Sequence, residues 1–220
     1  MEIRRLLCLA VAGAAVLGLS ACGTSEQVEL PEEYEFVNDI SGFQPDPNFP
    51  GSYVRPGYKD VDQYDNFMIE NVAVVYTDKG MERLNDKDLT RIQDYFRDAI
   101  VAKLREGGYF VVETPHENMM TIQIAITGLE APSGFGSEAA NTGTALTVGV
   151  SSVVGKVTVE GAFVDFETGE TQIIAADSRR GTYNNANPWS TWRDVELAMD
   201  DWALQMREDF DQIMANAKAN

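Results

Sequence analysis

GKVTVEGAFVDFETGETQIIAADSRRGT, residues 155–182, places two strand-like runs on either side of Glu167-Thr168-Gly169-Glu170. A short polar, glycine-containing turn between two such runs predicts a long β-hairpin. Just before it, TIQIAIT (121–127) alternates Ile122, Ile124 and Ile126 with more polar neighbours, the mark of a strand with one buried face. Upstream again, NDKDLTRIQDYFRDAIVAKLREGG (85–108) spaces Leu89, Ile92, Phe96, Ile100 and Leu104 as one face of a helix. Asn85 or Asp86 can cap its start, and Gly107-Gly108 stops it. The run MIENVAVVYT (68–77) precedes this helix and YFVVET (109–114) follows it, so each is expected to be a strand.

Downstream, Trp192, Val195, Met199, Trp202, Met206, Phe210 and Ile213 recur every three or four residues. They describe a long amphipathic helix with an acidic outer face, capped by Asn187 or Ser190. The order strand, helix, strand, strand, hairpin, helix predicts an α+β fold. The expected form is a two-layer sandwich, with a mixed or antiparallel sheet of about five strands covered by two helices. The domain is expected over residues 61–217.

Between Gly23 and Asp60 no period is sustained, and Pro31, Pro45, Pro47, Pro50 and Pro56 oppose helix and sheet. Residues 22–60 therefore read as a tether and an extended wrap. Tyr34, Phe36, Phe43, Phe49, Tyr53 and Tyr58 are more rings than a solvated linker needs, so the wrap is expected to lie against the domain.

The first 21 residues have a different character. Arg4 and Arg5 precede an apolar run from Leu6 to Leu19, and small residues follow. That is the layout of a secretory signal, and 14 residues fall short of the ~20 needed to span a membrane. Ordinary cleavage and an uncleaved anchor are the competing readings. Leu19-Ser20-Ala21-Cys22 resembles the lipobox of bacterial lipoproteins. That resemblance implies cleavage between Ala21 and Cys22, with diacylglycerol on the Cys22 sulfur and an acyl chain on its amino group. Several acyl chains at about 0.8 kcal/mol per buried CH₂ would hold the chain permanently to a bilayer. Gly23 and Thr24 follow in place of Asp, which by the same resemblance favours the outer membrane, with the domain facing the periplasm.

The 220 residues suit one domain with a leader, and 44% hydrophobic with 24% charged residues is ordinary for a globular protein. The net charge of −18 is not ordinary. The leader contributes Glu2, Arg4 and Arg5, which leaves −19 on the remainder. Such a field repels nucleic acid and anionic headgroups, so no nucleic-acid partner is expected and attachment to a membrane has to be apolar or covalent. Cleavage would also remove Cys8 and leave Cys22 without a disulfide partner.

No catalytic constellation stands out. His116 is the only histidine, in a turn between two expected strands, and neither GxSxG nor a Walker-type loop occurs. GFGSEAANTG (134–143) has the glycines of a nucleotide loop but no following base, and residues 132–149 are expected to form a loop. Asp60, Asp62 and Asp65 suggest a calcium loop, but Tyr64 takes the place of the third oxygen ligand and the turn glycine is absent. No metal site and no cofactor are expected. The weak ligand candidates are Asp165, Asp177, Arg179 and Arg180, and Arg179-Arg180 is expected mainly to pair with neighbouring carboxylates.

From about Ser41 to Phe210 the chain resembles a family of uncharacterised proteobacterial lipoproteins with a single domain of unknown function. The points of likeness are Gly42-Phe43, Pro56-Gly57 with Tyr64, and DLTRIQDYFRDAIVAKLREGGYFVV leading to Pro115. They continue in IQIAITGLE, in VEGAFVDFETGE with Asp177 and Arg179-Arg180, and in Asp201-Trp202-Ala203. His116 departs from the glycine usual after that proline. The resemblance implies location and fold more than mechanism. The expected role is a non-enzymatic, outer-membrane-anchored binding or structural component with an envelope protein partner. The alternatives are an auxiliary lipoprotein of an envelope transport system, by analogy of fold, and a carboxylate-based enzyme.

Overall fold

The computed structural model describes residues 25–30, 34–75, 86–130, 156–181 and 191–219. The leader, Ala21, Cys22, the expected loop 132–149 and the caps Asn187 and Ser190 lie outside them. Eight strands and two long helices are present: β1 Ser25–Val28, β2 Gln44–Pro45, β3 Ser52–Val54, β4 Asn66–Ile69, β5 Ala73–Val74, α1 Asp86–Glu106, β6 Met119–Glu130, β7 Lys156–Asp165, β8 Thr171–Gly181 and α2 Thr191–Ala219. The fold is α+β, as the sequence predicts, but the sheet is larger than five strands. Its order is β2-β3-β8-β7-β6-β4, with β1 beside β8 and β5 beside β6.

β6, β7 and β8 form the antiparallel centre, while β4 and β5 run parallel to β6. The quoted hairpin is β7–β8. Gly169 closes its turn at φ 70°, donating its N–H to the Asp165 carbonyl at 2.8 Å. On one face, Ile122, Ile124 and Ile126 of β6 and Val157, Val159 and Phe163 of β7 meet α1 and α2. All five apolar positions expected for α1 are buried, as are Val195, Met199, Trp202 and Phe210 of α2.

Two expected strands are corrected. MIENVAVVYT is interrupted at Glu70–Val72, giving β4 and β5 on either side of a break while Val72 packs into the core. YFVVET contributes only a single bridge, Val111 to Phe67. It lies beyond β4, bonded through Phe110 O and Val112 N–H, and β4 itself is only four residues long.

The added strands β1, β2 and β3 come from the stretch read as tether and wrap. Each is short and pairs at an edge, where proline is tolerated: Pro45 ends β2 at the outermost position. Gly51 precedes β3 at φ 84°, and a Cβ there would stand 2.7 Å from the Ala176 carbonyl oxygen. Only glycine brings this edge against β8.

The second face of the sheet is covered at its centre by residues 34–38. Glu160 on β7 points to that face and is 1% exposed. It is met by four donors: the Tyr34 hydroxyl at 3.0 Å, the Val37 N–H at 2.8 Å, the Asn38 N–H at 2.7 Å and the Asn38 side-chain amide at 2.6 Å. Burial and the neighbouring carboxylate push the Tyr34 hydroxyl up to about 12, so it stays a donor at neutral pH. Tyr34 packs edge-on to Phe36 and Phe36 to Tyr53 of β3, carrying the arm across to the sheet edge. Glu160→Ala strands these donors, with an expected loss of ~1–3 kcal/mol. Denaturant unfolding and limited proteolysis at residues 34–40 should both report it, and unchanged proteolysis of the arm would sink the clasp.

Candidate functional site

The helix-facing pairs on β7 and β8 are Val159 with Asp177, Gly161 with Ala175, and Phe163 with Ile173. The middle pair has almost no bulk, and Gly161 also sits opposite Ile124 of β6. α2 passes over this low point with Trp202, Met206 and Phe210, and a cavity of about 390 Å³ remains. A Cβ on Gly161 would rest 3.6 Å from Phe163 and 4.0 Å from the Gln123 carbonyl, so it would only reach ordinary contact. The segment Asp46–Ser52 and Asp60-Val61 complete the wall.

Charged groups gather at the half-buried rim. Asp177 accepts from Gln27 at 2.9 Å, the Ser178 N–H at 2.9 Å, the Trp202 indole at 2.7 Å and Arg179 at 3.2 Å. The Arg179 guanidinium also lies 3.9 Å from Asp201 and 5.6 Å from the centre of the Trp202 ring. The Ser25 hydroxyl of β1 donates to Asp201. Asp177 and Arg179 therefore satisfy one another, and the network fastens β1 to β8 and α2. Pairing is the role expected for Arg179.

The other acids of the lining are less well matched, although the charge of Arg179 also acts on Asp209. Asp60 accepts from the Val61 N–H at 2.7 Å and the Tyr58 hydroxyl at 3.3 Å, and Asp209 from Gln205 at 2.8 Å. Burial raises both carboxyls above the usual carboxylate range, in spite of those hydrogen bonds. Asp46 accepts from the Asn48 N–H at 2.8 Å. Among the described residues, none of the three forms an ion pair.

Asp177 and Arg179 are the sequence candidates brought together at the cavity. Asp165 sits at the hairpin turn, about 20 Å away at the ~3.3 Å rise of a strand, and Arg180 faces the opposite side of the sheet, exposed. Asp165 belongs to a separate polar cluster. It accepts from the Thr168 N–H at 2.8 Å, the Thr168 hydroxyl at 3.0 Å and the Tyr64 hydroxyl at 3.0 Å. Lys59 lies 3.6 Å from it, 3.9 Å above the Tyr64 ring, and donates to Asn118 at 2.6 Å. Asn118 holds φ 49°, with its amide on Asp65 at 2.8 Å. Asp60 and Asp65 thus spend their carboxylates on local bonds, and among the described residues no three acids, histidines or cysteines are grouped to hold a metal. His116 is exposed.

Sequence reasoning missed Gly161, Trp202 as a cavity wall and Asp209, and weighed Asp60 only as a member of a calcium loop. The cavity depends on register and on where α2 crosses, and no local pattern encodes either. Among the described residues its lining has no histidine, cysteine or lysine, and its charged side chains, Asp46, Asp60, Asp177, Arg179 and Asp209, border a largely apolar space. That is the shape of a site that accepts an apolar body and orients it by charge.

The class defined by this architecture is an α+β domain with a ligand-sized cavity between helix and sheet. The family model for proteins of unknown function (DUF3313) matches residues 32–206, and the chain belongs to that family. No curated protein matches the sequence. Solved structures with a distant likeness include the PelC dodecamer from Paraburkholderia phytofirmans, at 13% identity and TM-score 0.41, covering 70% of this chain and 96% of that one. Lipoprotein GNA1162 from Neisseria meningitidis is similar at 14% identity and TM-score 0.36, covering 63% and 97%. The rare lipoprotein B from Shewanella oneidensis is similar at 13% identity and TM-score 0.31, covering 70% and 97%. Among the described residues no helix is long and apolar enough to cross a membrane.

Burial pushes the Asp165 carboxyl up, but Thr168, Tyr64 and Lys59 together outweigh it and hold it below the usual range. Its contribution is therefore fully present above the ordinary carboxylate pKa of about 4 and is lost as pH falls through the depressed value. Asp165→Asn should cost ~1–3 kcal/mol in urea unfolding at pH 7, with the difference from the parent shrinking below about pH 4. A pH-independent difference would show that the charge is not what matters.

Proposed function

We propose that this protein is a lipoprotein of the bacterial envelope, anchored through acylated Cys22 to the periplasmic face of the outer membrane. Its domain binds an envelope component and catalyses no reaction. The observation that carries the binding role is the 390 Å³ cavity, largely apolar and bordered by charged side chains, whose best-placed carboxylate, Asp177, is saturated by four donors. A general base needs a free lone pair aimed at substrate, and Asp177 has none to spare. The anchor is supported by the Leu19–Cys22 motif and by the position of β1. Only Gly23 and Thr24 separate Cys22 from Ser25, the first residue of the sheet.

The carboxylate-based enzyme loses support because Asp165 is remote from Asp177 and Arg179. The auxiliary transport role gains support from the same cavity, since it requires an apolar recess able to hold a lipid.

Cys22→Ala should abolish labelling by palmitate and release the protein from outer-membrane fractions into the soluble periplasm. Retention of the unlabelled variant would refute the anchor. Crosslinking of the acylated protein in intact envelopes at native expression should give a discrete adduct, and monomer alone would count against a protein partner.

A further inference from the structure

We infer that the cavity between α2 and the β7–β8 sheet takes an amphipathic cation, with its apolar body over Gly161 and Ala175 and its positive group among the rim carboxylates. This inference rests on the binding role proposed above and specifies the ligand's chemistry.

The apolar half of the argument is geometric. The floor is the Gly161–Ala175 pair, with Phe163, Ile173, Met206 and Phe210 as walls, so this part of the cavity offers mainly apolar contact area. An apolar recess of this volume suits a chain or ring of a small amphiphile.

The charge half is a count and a pairing. Glu160 lines the recess through its backbone, because its side chain is held on the opposite face by the arm. The remaining charged lining groups are Asp46, Asp60, Asp177 and Asp209, against Arg179. Arg179 is already held by Asp177 and Asp201. An anionic headgroup would therefore meet one guanidinium already engaged by Asp177 and Asp201, and an excess of carboxylates, of which Asp46 and Asp60 form no ion pair among the described residues. An ammonium or guanidinium would meet those carboxylates as its counter-charges. Desolvation of Asp60 and Asp209 is a penalty the free protein carries, and a bound cation would relieve it.

Titration calorimetry of the folded domain with decylammonium, decanol and decanoate, each below its micellar concentration, separates the parts of this claim. Decylammonium should bind at least about tenfold more tightly than decanol, and decanoate more weakly than either, with the ammonium's advantage falling as salt rises. Ala175→Leu fills the floor and should abolish binding of all three. Asp209→Asn should reduce the ammonium's advantage over decanol about threefold or more, leave decanol binding unchanged, and unfold at higher denaturant than the parent. The stability gain follows because a buried carboxyl with a raised pKa favours the neutral form, which asparagine imitates.

Equal affinity for decylammonium and decanoate would overturn the cationic assignment while leaving the cavity as a binding site. Ammonium binding that survives Ala175→Leu would place it on the acidic surface and overturn the cavity as its location. If none of the three binds, the inference fails, and the envelope-binding role is judged separately by crosslinking.

Discussion

Glu160 is a fully buried carboxylate with no cation in contact among the described residues, and the architecture around it depends on how it is satisfied. An ionised carboxylate taken from water needs donors on both oxygens. Here two backbone N–H groups, an amide and a phenol supply them. All four come from residues 34–38, more than 120 positions away in sequence. The arm is therefore held where this carboxylate is, and its ring stack through Phe36 and Tyr53 sets the position of β3. β3 in turn carries the segment Asp46–Ser52 to the cavity rim. A charge on one face of the sheet thus helps build the wall of a recess on the other.

The large negative charge is handled in two ways. Some acids are matched to specific donors: Asp165 to Thr168 and Tyr64, Asp177 to Trp202 and Arg179, Asp200 to Tyr95, and Asp211 to Arg207 and Tyr109. Of these, Asp165 is held below the ordinary carboxylate value and so supports the fold at neutral pH, while the others tie elements together through their hydrogen bonds. Asp60 and Asp209 are desolvated beyond what their partners offset: Asp60 has only hydrogen bonds against burial, and for Asp209 Gln205 and the charge of Arg179 do not outweigh it. Their raised pKa values mean that the folded state binds protons more readily than the unfolded chain does, so they oppose stability at neutral pH and the penalty fades as pH falls through those values. Two acids kept at such a disadvantage in the lining of one cavity are more easily understood as serving a ligand than as serving the fold.

Long periodic elements were legible in the sequence. α1 declares itself through five apolar positions and a Gly-Gly stop, and β7–β8 through its turn, because local pattern and tertiary burial agree there. β1, β2 and β3 were not legible: two to four residues each, interrupted by prolines, they exist only because β8 offers an unpaired edge. YFVVET failed in the opposite sense. Its residues suit a strand, but the neighbour it meets, β4, is too short to build a ladder with it. At the site, Arg179 and Asp177 stood out as a basic pair and a nearby acid in an acidic chain. Glu160 did not, since a glutamate at an alternating position reads as solvent-facing until a distant arm covers it. The cavity was least legible of all, because it arises from a glycine and an alanine, Gly161 and Ala175, that only the strand register brings side by side.

Given an anchor at Cys22, the start of β1 at Ser25 limits how far the domain can stand from the bilayer. Three extended residues reach roughly 10 Å, about the Debye length of ~8 Å at physiological ionic strength. A domain carrying −19 is then held within range of its own repulsion from anionic headgroups, a position that acyl chains can maintain and surface charge cannot. The same short connection places the cavity beside the layer where amphipathic cations accumulate, since anionic headgroups attract their charge and the bilayer their apolar part. Ser25 and Gln27 of β1 are bonded into the Asp177–Arg179–Asp201 network beside the cavity. Anchor and recess therefore meet in one strand, and tension or displacement at Cys22 would act directly on the groups that border the ligand.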